Sequence, residues 1–111
     1  MTAMDLVKLT AIIRNEKLDA VETVLQEMRV PGISVTKVKG YGEYANFYTR
    51  DWMLTHARVE IFTEAGKGEA IAEAIVKTAC VGAPGDGIVA IIPVRKMYRI
   101  RTQSEVTADE I

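Results

Sequence analysis

From Val7 to Arg14 the chain alternates, with Val7, Leu9, Ala11 and Ile13 on one side and Lys8, Thr10, Ile12 and Arg14 on the other. A period of two marks a strand with one apolar face and predicts a first strand over "DLVKLTAIIR". In "KLDAVETVLQEM" the apolar positions Leu18, Val21, Leu25 and Met28 fall three and four apart, which predicts an amphipathic helix stopped by Pro31 and Gly32. Strand character returns in "ISVTKVKGYG", with β-branched Ile33, Val35, Thr36 and Val38, and ends at Gly40 and Gly42. From Glu43 to Thr55 no period survives. "HARVEIFT" alternates again, setting Ala57, Val59 and Ile61 against Arg58, Glu60 and Phe62. A second helix is predicted from Gly66 to Ala79, with Ile71, Ile75 and Thr78 on one stripe. The last strand is the unbroken apolar run "IVAIIPV" from Ile88 to Val94.

The order is β-α-β-β-α-β, the α+β ferredoxin-like pattern in which two helices cover one face of a four-stranded antiparallel sheet. The other face is left bare. In this order the last strand lies at a sheet edge, yet it is apolar at every position from Ile88 to Ile92, so both of its faces require burial. The tail "RTQSEVTADE" is too polar to provide much cover, and a partner subunit is expected to supply it. Residues 1–102 read as the folded domain and 103–111 as a C-terminal tail.

Composition changes the picture mainly by exclusion. Fourteen Lys and Arg against fifteen Asp and Glu give a formal charge of −1, so there is no broad field to capture nucleic acid or anionic lipid. Any anion site must be local. At 111 residues, 49% of them hydrophobic and 26% charged, one folded domain is expected. No apolar run reaches membrane-spanning length and Asp5, Lys8 and Arg14 interrupt the first segment, so a cytoplasmic protein without direct membrane insertion is expected. The single Cys80 and single His56 exclude an intrachain disulfide and leave no metal cluster. Ser34, Ser104 and Cys80 have no base arranged beside them, so no catalytic residue is assigned and the chain is not expected to be an enzyme.

Local chemistry gathers in three segments. "VGAPGDG" follows a helix and opens a strand; Gly85 and Gly87 can take positive φ, and successive N–H groups in such a turn converge on an anion such as phosphate. A plain turn remains the alternative. In "YRIRT", Arg99 and Arg101 are two apart, so in extended chain both guanidinium groups project to one side and repel unless an acid or phosphate lies between them. Salt bridges to surface acids would serve equally for a single arginine. The loop "EYANFYTRDWMLT" carries Tyr44, Phe47, Tyr48 and Trp52, which suit a partner surface or a ligand lid, or packing onto their own subunit or a neighbour. Glu60 with Arg58 or Lys37 reads as a cross-strand ion pair.

With "AIIRNEKLDAV", "GISVTKVKGYG", "GDG" and "YRIRT" in this order, the chain resembles the PII signal-transduction family from about Ala11 to Thr102. The resemblance implies a homotrimer that binds adenine nucleotides in clefts between subunits. It also implies a T-loop, here 43–55, that signals to a protein target such as a transporter or enzyme, and a B-loop, here 80–87, that wraps the phosphates. Carried over by position, Gly40, Tyr41 and Gly42 lie at the T-loop base in the nucleotide pocket, and Ile12, Ser34, Glu60 and Phe62 surround adenine and ribose. Gly85, Asp86 and Gly87 match the phosphate loop, and Arg99 and Arg101 match a pair that reaches the phosphates from the neighbouring subunit.

The departures are equally specific. ATP-responsive members carry Arg where this chain has Glu43 and Lys where it has Ile88, which favours AMP or ADP over ATP. Tyr44 and His56 replace the Mg²⁺-holding Gln and the Lys of the family's 2-oxoglutarate site, so no 2-oxoglutarate response is expected. The T-loop is also shorter than the nitrogen-regulatory type, without its recognisable uridylylated tyrosine. The chain thus resembles a divergent PII-like branch associated with inorganic carbon and carboxysomes, with bicarbonate as a second ligand near His56 and Arg58. The competing reading from another class is a trimeric protein-binding adaptor with a vestigial nucleotide cleft. A metal-tolerance trimer and a slow nucleotide hydrolase fit less well, since imidazole and thiol ligands are scarce and no general base is apparent.

Overall fold

The computed structural model describes residues 5–40 and 54–111. Strand β1 (Leu6–Arg14) leads through a single 3₁₀ turn (Asn15–Lys17) into helix α1 (Leu18–Glu27). Strands β2 (Ser34–Gly40) and β3 (Leu54–Glu64), helix α2 (Ala65–Ala79) and strand β4 (Gly87–Val94) follow. The sheet order is β2-β3-β1-β4 with every neighbouring pair antiparallel, so the predicted β-α-β-β-α-β fold is the one observed. One boundary moves. Strand β3 starts at Leu54, earlier than the alternation at His56 suggested, because Leu54 and Thr55 pair with Gly40 and Lys39. Backbone pairing extends a strand past the point where a hydrophobic period is visible.

The alternation in β1 sends Leu9, Ala11 and Ile13 into the layer beneath the helices, where they meet Ala57, Val59 and Ile61 of β3. Helix α1 adds Val21 and Leu25, and α2 adds Ile71, Ile75 and Ala79. Each of the larger side chains contributes roughly 1.5–3 kcal/mol on full burial. Gly68 lets α2 settle on the sheet, since a Cβ there would lie 3.1 Å from the Val7 Cγ2. Helix α1 ends before Pro31. Arg29 takes φ 61, its N–H donates to the Gln26 carbonyl, and the Val30 N–H donates to the Leu25 carbonyl. This is the Schellman arrangement that usually has glycine at the left-handed position.

Strand β4 stays open within one chain: Ile88, Ile91 and Ile92 keep 46%, 41% and 43% of their surface exposed. Ile91 shares the helix-facing side with Leu9, and Ile88 and Ile92 share the open side with Ile12 and Lys8, so neither face is closed. Beyond β4 the chain folds into a hairpin, β5 (Tyr98–Arg99) against β6 (Ser104–Glu105). The boundary expected at residue 102 falls inside this hairpin. Val106 is buried, and its N–H donates to the Met97 carbonyl at 2.8 Å, so the polar tail still carries one core residue.

Gly87 joins the glycine-rich loop to β4 at φ +97, and a Cβ there would lie 1.7 Å from the Ile12 carbonyl oxygen. The obstacle is backbone, so no side-chain rearrangement relieves it. Gly87→Ala is therefore expected to cost at least about 3 kcal/mol. Gly82→Ala, at φ +83 with nothing within 4 Å, should cost only the left-handed penalty of about 1–2 kcal/mol. Urea denaturation of both variants checks the difference.

Candidate functional site

The open face of the sheet is ordered in rows by the strand register. Lys8 stands between Phe62 and Ile92, Thr10 between Glu60 and Ala90, and Ile12 between Arg58 and Ile88. Ser34 extends the Glu60 row onto β2. Ile12, Ser34, Glu60 and Phe62, singled out from sequence, thus share one face, and Arg58 lies among them. Gly40 closes β2 beside Leu54. Tyr41, Gly42, Tyr44, Phe47, Tyr48 and Trp52 lie outside the described residues.

The carboxylate of Glu60 accepts from the Lys8 Nζ at 2.5 Å, with the Arg58 Nε at 3.8 Å on its other oxygen. The Lys8 hydrogen bond, above all, lowers the Glu60 pKa; partial burial opposes it, and the Lys8 and Arg58 charges reinforce it. Lys37, considered as a partner for Glu60, instead donates to the Asn15 Oδ1. Lys8 also stands 6.0 Å above the Phe62 ring, at the outer limit of a cation–π contact. The Arg58 Nε is buried and has no hydrogen-bond partner among the described residues.

At the end of β1 the glycine-rich loop does form a nest, but its anion belongs to the chain. The Asp86 Oδ2 accepts from the N–H groups of Val81, Gly82 and Ala83 at 3.2, 2.9 and 3.4 Å. Its Oδ1 accepts from the Arg14 Nε at 2.9 Å, and the Arg14 Nη2 donates to the Pro84 carbonyl at 2.8 Å. These N–H groups lie ahead of the Gly85–Asp86–Gly87 segment expected to meet phosphate, and a carboxylate a few residues along reaches them without the translational cost of capturing an ion. Arg14 holds the Asp86 carboxyl down at about 2, with Gly82, Val81 and Ala83 adding to the effect and partial burial opposing it. His56, register partner of Arg14, is 2% exposed, and its Nε2 lies 3.0 Å from the Gly85 carbonyl oxygen, a contact that needs the proton on that nitrogen. The loop is pinned from two strands at once. Of the pair expected to hold a second anion, His56 therefore has one ring nitrogen already engaged, while Arg58 faces the open side.

Arg99 ends strand β5 and Arg101 lies in the turn that follows it, so the two do not share one stretch of extended chain. The Gln103 N–H donates to the Arg99 carbonyl at 2.9 Å and Gln103 takes φ 55, so residues 100–103 form the hairpin turn, and projection of both guanidinium groups to one side no longer follows from strand geometry. Both arginines are exposed. They also lie beyond the far end of the eight-residue β4 from the glycine-rich loop, a run of roughly 25 Å at strand rise. Sequence reading passed over Lys8 and Arg14. The signal was present in the alternation, which puts both on the open side of β1, but their partners Glu60 and Asp86 become visible only with the register.

Among the described residues no group of three or more His, Cys, Asp and Glu side chains could hold a metal ion, and no helix is long and apolar enough to cross a membrane.

The Asp86 anchor predicts an acid dependence. Since its carboxyl ionises well below the ordinary 3.8, its contribution is complete above that pH and is lost as pH falls through about 2. Asp86→Asn should cost about 1–2 kcal/mol at neutral pH and abolish this part of the acid-induced loss. Denaturation midpoints at neutral pH and near the acid limit would read it, and equal acid losses in both proteins would contradict it.

Comparison with known proteins agrees with this geometry. The family described as "Nitrogen regulatory protein P-II" matches residues 6–104. A nitrogen regulatory protein P-II of Azospirillum brasilense is 36% identical over 103 residues, covering 86% of this chain and 91% of the relative. Nitrogen regulatory protein P-II 1 of Escherichia coli is 33% identical over 106 residues, covering 88% and 94%. The crystal structure of Arabidopsis thaliana PII bound to citrate superposes with a TM-score of 0.78 at 26% identity, over 92% of this chain and 89% of that one. The match spans both helices, all four strands of the sheet and the first residue of β6, and on it the chain belongs to the nitrogen regulatory protein P-II family of signal-transduction regulators.

Proposed function

We propose that this chain is a PII-like sensor that assembles as a homotrimer, binds adenine nucleotide in the clefts between subunits and signals to a protein target through segment 43–55. One observation carries the reading: β4 has exposed isoleucines on both faces, with the pinned glycine-rich loop at one end and the arginine hairpin beyond the other. On this reading the two halves of the phosphate site come from different chains, the loop from one subunit and the arginine hairpin from the next. The apolar edge gives the chains a reason to meet.

In this assembly the base and ribose lie against Ile12, Ser34, Glu60 and Phe62, beside Gly40, Tyr41 and Gly42. The loop at Gly85, Asp86 and Gly87 sets the position of the phosphates, and Arg99 and Arg101 of the neighbouring subunit supply the charge. Because Asp86 already occupies the N–H groups of Val81 to Ala83, the arginines carry more of the phosphate binding than a vacant nest would require. Glu43 and Ile88 add no positive charge near the outer phosphates, and a charged contact to phosphate contributes roughly 1.5–3 kcal/mol. AMP and ADP are accordingly favoured over ATP. Bicarbonate is the proposed second ligand, with the buried Arg58 Nε as its principal donor. The protein acts in the cytoplasm and is not an enzyme on this reading.

Isothermal titration with AMP, ADP and ATP, each with and without bicarbonate, tests the proposal. AMP or ADP should bind in the micromolar range, and Arg101→Ala should weaken them at least about tenfold. ATP binding tenfold tighter than ADP would overturn the selectivity, and a 2-oxoglutarate-dependent heat with MgATP would overturn the predicted silence to that ligand. No heat with any nucleotide would favour the trimeric adaptor. In sedimentation, Ile92→Asp should yield monomers, and an unchanged trimer would remove β4 from the interface.

A further inference from the structure

A groove of about 200 Å³ opens between the C-terminal end of α2 and the start of β4. Val76, Ala79 and Cys80 line it from the helix and Ile88 from the strand, while Asp86 and Gly87 bring the glycine-rich loop to it. Val76 is 55% exposed and Ile88 nearly half, so the chain itself leaves these walls open. A cavity of roughly 150 Å³ already admits a benzene-sized apolar group, so an aliphatic side chain fits here.

The helix end gives the groove an electronegative rim. The Cys80 N–H donates to the Val76 carbonyl and completes α2. The next three N–H groups, those of Val81, Gly82 and Ala83, go to the Asp86 carboxylate. The carbonyls of Lys77, Thr78 and Ala79 receive none of them, so this 15-residue helix ends on a partial negative charge, with Lys77 as the basic residue of its last turn.

The counterpart lies at the other end of β4. Ile100, in the turn of the β5–β6 hairpin, is 92% exposed and is flanked by Arg99 and Arg101. Residues 95–101 carry Arg95, Lys96, Arg99 and Arg101 with no acid, and none of the four forms an ion pair with the described residues. An aliphatic side chain set among cations complements an apolar groove with an electronegative rim. The length of β4 separates the two, roughly 25 Å at strand rise, so the chain does not fill its own groove.

We infer that Ile100 of one chain seats in the groove between α2 and β4 of the next, with its flanking arginines against the carbonyl end of α2 and the glycine-rich loop. This rests on the homotrimer proposed above and specifies which parts meet. Each chain has one tip and one groove on different surfaces, so the contact is heterologous, and three such contacts close a ring with every tip seated. Seating Ile100 delivers Arg99 and Arg101 to the loop that sets the position of the phosphates. Ile100 is thus a positioning residue for the arginine pair.

Cys80, the single cysteine, is exposed and lines the groove, which provides the test. The intact Ile100→Cys protein, at a concentration where it sediments as a trimer, should be linked chain to chain by a short bismaleimide, through Cys80 of one chain and the new thiol of the next. Wild-type protein, and Ile100→Cys combined with Cys80→Ser, should stay unlinked. Linking in either of these would overturn the inference by showing groove against groove or tip against tip, and so would a trimeric Ile100→Cys protein that does not link. In sedimentation, Ile100→Leu should assemble like wild type, and Ile100→Asp and Val76→Asp should each weaken assembly at least about tenfold. Unchanged assembly in either aspartate variant would also overturn it. Wild-type protein that sediments as a monomer would instead overturn the homotrimer reading, and this inference with it.

Discussion

Strand β1 is paired on both sides, and the structure depends on its register. With β3 along one edge and β4 along the other, its alternation decides at once which side chains enter the helix layer and which face the open side. A slip by one residue would bring Lys8 and Arg14 beneath the helices and expose Leu9, Ala11 and Ile13. Buried charges without partners cost far more than any neighbouring contact could restore. The same register sets Arg14 opposite His56 at the strand end, so the two side chains that pin the glycine-rich loop are placed by the constraint that builds the core.

That loop is an anion nest whose anion is built in. Three N–H groups and a guanidinium converge on Asp86, and the carbonyl of Gly85 is held by His56. Gly87 then passes against the Ile12 carbonyl at a distance that excludes a Cβ. The loop is therefore ordered before anything binds, and pre-ordering reduces the entropy lost when a ligand is taken up. In the proposed trimer, the fixed loop of one subunit and the arginine hairpin of the next form the two sides of a single site.

The two faces of the sheet have different chemistry because only one is covered. The open face mixes Phe62, Ile88 and Ile92 with the Lys8–Glu60–Arg58 cluster. That mixture fits a surface shared with another chain and a polar ligand. On the covered side, the ends of two helices meet imperfectly and leave an aliphatic cavity with cations at its edge. The left-handed Arg29 at the end of α1 helps to shape it.

The order of elements, the apolar stripe of each helix and the open edge of β4 were determined by the sequence, because periodicity and burial are local properties of a pattern. Even the nest was visible in "VGAPGDG". What occupies it was not, since Asp86 becomes its anion only when Arg14, distant in sequence, arrives from β1. Lys8 likewise acquires meaning through Glu60 across the ladder. "YRIRT" was legible as an arginine pair but is extended only through Arg99, because the left-handed Gln103 closes a turn over 100–103 that spacing alone does not reveal. Polarity in 103–111 hid Val106, whose burial depends on a backbone bond to Met97. Sequence fixes what each segment can bury on its own; only the folded sheet decides which distant charges and carbonyls meet, because those contacts follow from strand register and turn closure.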